Sequence, residues 1–307
     1  SPILSFNYKI KTLMEQILNF FMKTAIITTG GLATRLLTYT KVSPKAMMPL
    51  FDKNYDRFDT PLVKPLIQMI FENLYDSGFR RFCFIVGTKS RNAVKNHLDP
   101  DKKFIDLLKS RSFTVDKRFI SHLDQLYKKI NNCEIEWISQ PTPMGFGHAL
   151  LSAQKFIKNE KFLLHAGDVY FPNYSFLKQL VDHNKKTSSD STLLLQKKKQ
   201  LKGYGIAQVS NTNENLVLNV EEKPNTPKSN LVILPAYIFN KKIFSALKKT
   251  SKGYNNELQL TDAIKTQINN GDKISSCNFS KNIWFDIGTP KNYYLASNYS
   301  YKQANLE

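Results

Sequence analysis

Residues 24–50 read TAIITTGGLATRLLTYTKVSPKAMMPL, a short apolar run followed by two glycines and a basic loop. The run Thr24–Thr28 predicts a buried β-strand, because it is brief, apolar and bounded by turn residues. Gly30 and Gly31 would let the backbone approach an anion closely, and the N–H groups of the next turn can bind phosphate. Arg35 adds donors whose planar fork suits phosphate oxygens. The stretch therefore indicates a phosphate-binding loop, although two glycines after a strand fit a plain tight turn equally well.

The loop departs from two familiar nucleotide-binding patterns. Neither G-x-x-x-x-G-K-[ST] nor G-x-G-x-x-G occurs in it, so the sequence supports neither a P-loop nor a dinucleotide-binding fingerprint. Any nucleotide bound here would have to be held by a different arrangement of glycines and cations.

Strand-like and helix-like segments alternate through the first half of the chain. Apolar runs that predict further strands lie at 82–86, 134–139 and 161–166. Segments with helical spacing lie at 65–77, 92–98 and 147–157. A strand followed by a helix, repeated at this interval, predicts βαβ units and a mostly parallel sheet.

The second half of the chain is richer in closely spaced strands. Four runs predict them, at 191–196, 206–210, 216–221 and 231–239. Helical spacing returns at 241–249 and 257–270, and a last strand is predicted near 283–285. The basic stretch 102–129 also has helical periodicity, which predicts a solvated helical hairpin, with a subunit contact or a lid as the alternative. The pattern as a whole predicts an α/β fold with an added β-rich portion.

Composition excludes several classes of protein. The chain has 307 residues, of which 41% are hydrophobic, and this excludes a wholly disordered chain. No apolar run approaches the roughly 18 residues of a spanning helix, so we expect no membrane association. Cys83, Cys133 and Cys277 form no C-x-x-C pair, which argues against disulfides or a zinc ribbon and favours a cytoplasmic location. Residues 1–21 are too interrupted by polar side chains for a signal peptide.

The formal net charge of +19 arises from 44 Lys and Arg against 25 Asp and Glu. Such a balance favours anionic partners, so a nucleic-acid-binding protein is an alternative from a different class. General solubility explains the same charge without any specific site. The basic residues are mostly lysine and are dispersed, and no recognition module is visible, so we expect no nucleic-acid partner.

The stretch 30–50 resembles G-x-G-T-R…P-K-x-[ML]-[ML]-P-[LV], a long signature of the sugar-1-phosphate nucleotidyltransferases. Five further segments resemble that family in the same order: QPTPMGFGHAL at 140–150, GYGI at 203–206, EEKP at 221–224, ELQLTDAI at 257–264 and WFDIGTP at 284–290. The resemblance covers roughly residues 22–299, which we predict to be the nucleotidyltransferase domain. Residues 1–21 would then be an N-terminal extension and residues 300–307 a tail.

The resemblance implies a Rossmann-like, three-layer nucleotide-diphospho-sugar transferase fold with a smaller β-rich, sugar-binding portion. It also implies transfer of a nucleotidyl group from a nucleoside triphosphate to a sugar 1-phosphate, with release of pyrophosphate. Within the family, GFGH at 145–148, TK and PK at 40–45 and the insertion at 102–129 are most similar to uridylyltransferases. UTP and glucose 1-phosphate are therefore the expected substrates, and a homo-oligomer is expected. The segment 284–289 is more like the thymidylyltransferases, which remain the alternative.

The nucleotidyl transfer that the resemblance implies requires cationic side chains and a metal ion. The attacking phosphate oxygen is already anionic near neutral pH, so catalysis consists mainly of positioning and charge neutralisation. The family assigns catalytic contacts with the phosphates to Arg35 and Lys45. The resemblance implies that the nucleotide is bound by Gly30, Gly31, Leu32, Gln140, Gly145 and Asp168. It implies that the sugar phosphate is bound by Gly205, Glu222 and Lys223, and that Mg²⁺ is bound by Asp168 and Asp286.

Four features depart from the family pattern, one of which is Thr38 in place of a usual Pro. Ala33 stands where the family has Gly, so either a positive φ there is strained or the loop is shaped differently. About eleven residues, 54–64, interrupt a segment that is normally D-K-P-L-I-Q. Pro235 occupies the place of a Gly beside the sugar pocket. His148, which begins a predicted helix, is expected to have a packing or capping role.

Overall fold

The computed structural model describes residues 22–31, 33–54, 61–87, 91–111, 117–213, 215–279 and 282–305. Its strands are β1 (Thr24–Thr28), β2 (Pro49–Asp52), β3 (Leu62–Pro65), β4 (Arg81–Gly87), β5 (Glu134–Gln140), β6 (Phe162–Ala166), β7 (Val169–Tyr170), β8 (Ser191–Lys197), β9 (Gly205–Val209), β10 (Val217–Glu222), β11 (Leu231–Phe239), β12 (Ile274–Asn278) and β13 (Phe285–Asp286). Its α-helices are α1 (Leu37–Thr40), α2 (Leu66–Asp76), α3 (Arg91–Leu98), α4 (Lys102–Ser110), α5 (Lys117–Asn131), α6 (Phe146–Ser152), α7 (Phe176–Thr187), α8 (Lys242–Lys249), α9 (Leu260–Asn269) and α10 (Pro290–Ala304).

The central sheet is mixed, with the strand order β10-β9-β11-β6-β1-β4-β5. Strands β6, β1, β4 and β5 run parallel, as the alternation of strands and helices predicts. Strand β11 instead pairs antiparallel with β6, β8 and β9, and β12 runs parallel to β8. The antiparallel part coincides with the closely spaced strands, whose short connections leave no room for a crossover helix.

Side chains of the sheet alternate between two helical layers. Ala25 and Ile27 of β1 belong to a buried cluster that includes side chains of α2, α5 and α7. Ile26 belongs to a second buried cluster on the other face, with side chains of α6, α8 and α9. A strand that is apolar on both faces is typical of a sheet covered by helices on both sides. The predicted three-layer α/β fold is thereby confirmed.

Several predicted boundaries were wrong. The helix predicted at 147–157 ends at Ser152, and the one predicted at 257–270 begins at Leu260. Helix α7 was missed although its buried side chains, which are Phe176, Leu177, Leu180, Val181 and Asn184, carry a helical spacing. Helix α10 was missed because it buries only Ala296 and Ser300, which gives no apolar stripe. None of the described helices combines the length and hydropathy needed to cross a membrane.

The hairpin predicted at 102–129 is confirmed for the part of it that the structure describes. Helices α4 and α5 pack together, and an ion pair of 3.2 Å joins Lys109 to Asp124. Ile105, Ile120, Leu126 and Ile130 are buried, and the other described side chains of the two helices are exposed or half-buried.

The insertion at 54–64 is accommodated by a hairpin. Strands β2 and β3 pair antiparallel, with Asp52 opposite Leu62. Lys64 Nζ lies 2.8 Å from Asp52 Oδ2 and 2.7 Å from Glu72 Oε2. The hairpin therefore brings the Lys64 side chain to Asp52 and sets Pro65 opposite Pro49, directly before α2. Residues 55–60 lie outside the described residues.

The buried His165 makes stability depend on pH. Its ring is fully buried in β6, its Nδ1 lies 2.8 Å from the carbonyl oxygen of Ala166, and its Nε2 lies 3.2 Å from the Tyr174 hydroxyl. Burial lowers the pKa of His165 to about 4. In the unfolded chain His165 is protonated below about pH 6.5, whereas in the folded chain it stays neutral down to about pH 4. The folded state therefore loses stability relative to the unfolded state as pH falls from about 6.5 to about 4.

We expect wild-type protein to lose about 2 kcal/mol more unfolding free energy between pH 7 and pH 4.5 than the double variant His165→Phe/Tyr174→Phe. The double variant removes the titrating ring and its hydroxyl partner together, so no polar group is left unpaired at Tyr174. Urea denaturation at the two pH values measures the difference. Parallel losses in both proteins would contradict the assignment.

Candidate active site

The carboxyl ends of the parallel strands meet at one edge of the sheet, and the predicted phosphate loop lies there. Gly30 and Gly31 follow β1, and the turn containing Gly167 and Asp168 follows β6. The two turns touch, because the Gly167 N–H donates to the carbonyl oxygen of Thr28 over 2.7 Å. A Cβ at Gly167 would come within 2.7 Å of that oxygen, so only glycine permits this approach. Leu32 lies outside the described residues.

Lys45 and Asp168 form an ion pair at this edge. Lys45 begins a short 3₁₀ helix, Lys45–Met47, and its Nζ lies 2.8 Å from Asp168 Oδ2. Burial lowers the pKa of Lys45, but the negative charges of Asp168 and Asp286 outweigh burial and leave the pKa raised. The side chain is therefore a permanent cation inside the cleft.

Asp286 reaches the same place through two very short strands. Strand β13 pairs antiparallel with β7, which sets Asp286 opposite Val169, and the Ile287 N–H donates to the carbonyl oxygen of Asp168 over 3.0 Å. Burial and the charge of Asp168 raise the pKa of Asp286 to about 6, against the opposing effect of nearby cations that include Lys45. Two distant segments thus bring two carboxyl groups together beside Lys45.

The donor set at this point fits magnesium. Among the described residues, no group of three or more His, Cys, Asp or Glu side chains could hold a metal ion. Asp168 and Asp286 therefore offer two carboxylates, and substrate phosphates and water would complete the coordination, which is how Mg²⁺ is commonly bound. Burial and, after it, the charge of Asp168 raise the pKa of Asp286, and a divalent cation bound here would favour the ionised carboxylate.

Two cavities that share part of their walls open at this edge of the sheet. One, of about 430 Å³, is lined by residues of the β-rich portion that include Gly205, Glu222 and Lys223, and it also contacts Lys45 and both aspartates. The other, of about 340 Å³, is lined by residues that include Gly30, Gly31, Gln140 and Gly145. Thr28, Gly30, Phe146 and Glu257 line both. The carboxylates line the larger cavity, and a narrow cleft lined by Gly30, Gly31, Lys45 and Asp168 connects their position with the glycines of the smaller one.

Gln140 is held in one orientation in the smaller cavity. Its Nε2 lies 3.0 Å from His148 Nδ1 and donates to the carbonyl oxygen of Gly145 over 3.3 Å. The Oε1 atom faces Gly30, where an added Cβ would come within 2.9 Å of it. His148 thus accepts the amide proton and orients Gln140, a role that differs from the predicted packing or capping.

Glu222 and Lys223 lie together at the end of β10 in the larger cavity. Thr261 Oγ1 donates to Glu222 Oε2 over 2.6 Å, and Lys223 Nζ lies 3.0 Å from Glu222 Oε1. Lys223 has a φ of 43°, a strained value for a residue other than glycine. A Cβ at Gly205 would lie 3.0 Å from Thr261 Oγ1 and 3.3 Å from Glu222 Oε2. Sequence reasoning missed Thr261, although it lies within the family-like segment ELQLTDAI.

Pro235 lines the larger cavity from the middle of β11. The pairing of β11 with β8 shifts register between Leu234 and Tyr237, which places Pro235 in the irregularity. Proline has no N–H to donate to a strand ladder, so an irregularity is where a sheet tolerates it. The ring thereby takes part in shaping the cavity.

Arg35 is exposed on a 3₁₀ turn, Thr34–Leu36, and its charge opposes the net rise in the pKa of Lys45 and of Asp286. The residue before this turn, Ala33, has φ 49° and ψ 42°, so the loop adopts the strained positive φ rather than a shape that avoids it. The carbonyl oxygen of Ala33 accepts hydrogen bonds from the Leu36 N–H and the Thr40 hydroxyl, which hold the strained turn in place.

Ala33→Gly is expected to stabilise the protein by about 1 kcal/mol, because glycine adopts this left-handed conformation without the Cβ clash. The matched control is Ala93→Gly in α3, where φ is not positive and glycine should cost about 0.5–1 kcal/mol. Urea denaturation of both variants measures the two changes in unfolding free energy, which should have opposite signs. A loss of stability in both would contradict the strain at Ala33.

Residues 24–303 match the family model described as Nucleotidyl transferase. The chain belongs to this family. It is 32% identical over 273 residues to UTP–glucose-1-phosphate uridylyltransferase of Bacillus subtilis (strain 168), covering 87% of each chain. It is also 32% identical over 292 residues to the enzyme of the same name from Mycoplasma pneumoniae, covering 91% of this chain and 92% of the relative.

Solved structures agree with this assignment. A UDP-glucose pyrophosphorylase complexed with UDP-glucose superposes with a TM-score of 0.75 and 27% sequence identity, covering 92% of this chain and 100% of that one. The predicted family and fold are therefore confirmed. The division of the chain at residues 21 and 299 stays a prediction, and α10 extends past the second of these points to Ala304.

Proposed function

We propose that the protein transfers a uridylyl group from UTP to glucose 1-phosphate, giving UDP-glucose and pyrophosphate. The observation that carries this proposal is that Lys45, Asp168 and Asp286 line the larger cavity while Lys45 and Asp168 also line a narrow cleft with the glycines of the smaller one. One cavity has glycine N–H groups and an oriented amide, and the other has a carboxylate and a cation. A nucleotide and a sugar phosphate would meet at the charged junction. The relatives named uridylyltransferases support the choice of substrates.

The reaction is a single displacement at phosphorus. A phosphate oxygen of glucose 1-phosphate forms a bond with the α-phosphorus of UTP, and the bond from that phosphorus to the β-phosphate oxygen breaks, releasing pyrophosphate. The attacking oxygen is already anionic, so no side chain has to remove a proton. The work of the protein is to align the two phosphates and to neutralise their charge.

The charged side chains divide this work between them. Lys45, a permanent cation, would hold the reacting phosphates, and the exposed Arg35 would reach the leaving pyrophosphate. The N–H groups around Gly30 and Gly31 would bind the triphosphate where the backbone is most open. Asp168 and Asp286 would hold Mg²⁺, which when bound supplies positive charge to the phosphate oxygens.

Gln140 provides a basis for choosing uracil. Because its Nε2 already donates to His148 and Gly145, Oε1 is left as the acceptor. An acceptor suits the N3–H of uracil and disfavours cytosine, whose N3 carries no hydrogen. The backbone of Gly145 would complete the recognition of the base edge. On the other side, Glu222 would accept hydrogen bonds from sugar hydroxyls while Lys223 binds the sugar phosphate.

Pyrophosphate release with UTP, dTTP, CTP and ATP, each paired with several sugar 1-phosphates and Mg²⁺, tests the proposal. We expect turnover to be fastest with UTP and glucose 1-phosphate. Equal turnover of dTTP and UTP would remove the uridine preference and favour thymidylyl transfer, which the segment 284–289 resembles. Absence of pyrophosphate release with every pair would reject nucleotidyl transfer for this chain.

A further inference from the structure

Lys198 is a cation that lies over two rings of the larger cavity's wall, Tyr204 and Trp284, and the family-like motifs do not include it. It follows β8 directly, and its N–H donates to the carbonyl oxygen of Asn230 over 2.9 Å. Its Nζ lies 4.1 Å from the ring centre of Trp284 and 4.8 Å from that of Tyr204. Both distances are within the range of a cation–π interaction. The ammonium group is therefore held at a defined place although its side chain is only half-buried.

The two rings under Lys198 are themselves fixed. Trp284 is 8% exposed, and its Nε1 donates to Gln196 Oε1 over 2.8 Å. Tyr204 packs edge-on against Trp284, with ring centres 5.8 Å apart. Gln196 in turn donates to the carbonyl oxygens of Phe279 and Asn282. This pre-organisation means that little side-chain entropy would be lost if an anion bound to Lys198.

Lys198 differs in its partners from Lys45 and Lys223, the two lysines that line the larger cavity. Lys45 is paired with Asp168 and Lys223 with Glu222, whereas Lys198 forms no ion pair with any carboxylate of the described ranges. Asp286 is close enough for its charge to act on Lys198, yet burial prevails and lowers the pKa of the lysine. A fixed cation without an ion-pair partner, held over the wall of a cavity that must hold a phosphate, is well suited to bind one.

The position of the rings decides which phosphate this is. Tyr204 and Trp284 line the larger cavity together with Gly205 and Glu222. Neither ring lines the smaller cavity or the narrow cleft formed by Gly30, Gly31, Lys45 and Asp168, where a triphosphate would lie. An anion that reaches Lys198 therefore enters from the sugar side.

We propose that Lys198 binds the phosphate of the sugar 1-phosphate, which becomes the sugar-linked phosphate of the nucleotide-sugar product. This inference rests on the proposed function, since it assigns a contact for the same second substrate. It assigns the phosphate a second lysine besides Lys223, carried by a different segment of the chain. Sequence reasoning could not single it out, because it lies in a run, KKKQLK at 197–202, in which every lysine looks alike.

Isothermal titration calorimetry with UDP-glucose and with UTP, each in the presence of Mg²⁺, tests the inference. Lys198→Met keeps an unbranched apolar side chain over Trp284 and removes only the charge. We expect it to weaken UDP-glucose binding by about tenfold or more and to leave UTP binding within about twofold, because only UDP-glucose places a phosphate on the sugar side. Lys198→Arg should recover most of the affinity.

Lys199→Met is the matched control, since it removes the same charge one residue away from an exposed side chain. Its binding of both ligands should equal that of wild type. Equal weakening by Lys198→Met and Lys199→Met would reduce the effect to general charge and overturn the inference, as would unchanged UDP-glucose binding by Lys198→Met. Retained UTP binding shows that a variant is folded.

The proposed function and this inference can fail separately. If wild type forms UDP-glucose while Lys198→Met binds it as tightly, the inference is wrong and the function stands. If wild type binds UTP but neither forms nor binds UDP-glucose, both are wrong. If wild type releases pyrophosphate only with dTTP, the uridine preference is wrong, and the same comparison with dTDP-glucose against dTTP decides the role of Lys198.

Discussion

Lys45→Met is expected to lower kcat/KM by about 10³-fold or more while leaving the protein folded. The ammonium group contacts Asp168 over 2.8 Å and lies in the cleft through which phosphates must pass. Removing it takes away a cation that acts on charge developing during the displacement, so kcat should fall more than UTP affinity. Steady-state pyrophosphate release and calorimetric UTP titration measure the two separately.

Loss of stability should not account for this effect. The Asp168 side chain is 36% exposed, so water can solvate it after its partner is removed. Lys23→Met is a matched control, because Lys23 is exposed and precedes β1 at the end of the strand opposite the cleft. The control should keep wild-type turnover. A Lys45→Met enzyme that retains more than about a tenth of wild-type kcat/KM would remove Lys45 from the reaction.

Asp286→Asn is expected to have two opposite consequences, loss of turnover by about 10³-fold or more and a gain in the stability of the metal-free protein. The loss follows because a neutral amide is a much weaker ligand for Mg²⁺ than a carboxylate. The gain follows because the pKa of Asp286 in the fold is about 6, above that of an ordinary aspartate. Ionising the group above pH 6 therefore costs stability that the amide does not lose.

The pH dependence of the unfolding free energy distinguishes removal of an unfavourable buried charge from general destabilisation by the substitution. In metal-free wild type the raised pKa means that stability from this group falls as pH rises from about 4 to about 6 and stays low above that range. At pH 8, Asp286→Asn should therefore unfold at higher free energy than wild type, by about 1–3 kcal/mol. Urea denaturation in EDTA measures the difference. Adding Mg²⁺ with UDP-glucose should stabilise wild type and not the variant.

Asp106→Asn controls for the change in net charge, since Asp106 is exposed on α4. It should alter neither turnover nor the stabilisation by Mg²⁺ and UDP-glucose. If Asp286→Asn destabilises the metal-free protein at pH 8, or keeps the stabilisation by Mg²⁺ and UDP-glucose, the shared role of the two carboxylates is incorrect.

Local pattern was sufficient for much of the fold. The apolar runs that became β1, β4, β5 and β6 carry their own period and their own turn residues, so the parallel half of the sheet could be predicted. At Ala33 the sequence showed only that a positive φ would be strained, and the structure decided that the loop adopts it. Helix α10 was not predictable, because the residues it buries are small or polar and form no apolar stripe in the sequence.

The contents of the site were predicted in part. Gly30, Lys45, Gln140, Glu222 and Lys223 were chosen from motifs, and the structure brings all of them to the two cavities. The partners that orient them were not chosen, since hydrogen bonds such as Thr261 to Glu222 and Gln140 to His148 depend on side-chain geometry. Their roles in binding and catalysis stay predictions until the variants are measured.

Hydrophobic periodicity, turn residues and the phosphate loop each depend on residues that are neighbours in the chain. The amino-acid sequence by itself therefore indicates an α/β protein that binds phosphates. The meeting of Asp168 with Asp286 rests on two strands of two residues each, which are too short to carry any pattern. The choice of Lys198 among neighbouring lysines likewise depends on where Trp284 and Tyr204 lie. Contacts between distant segments are set by the packing of sheet, helices and loops, and only the folded chain brings them together.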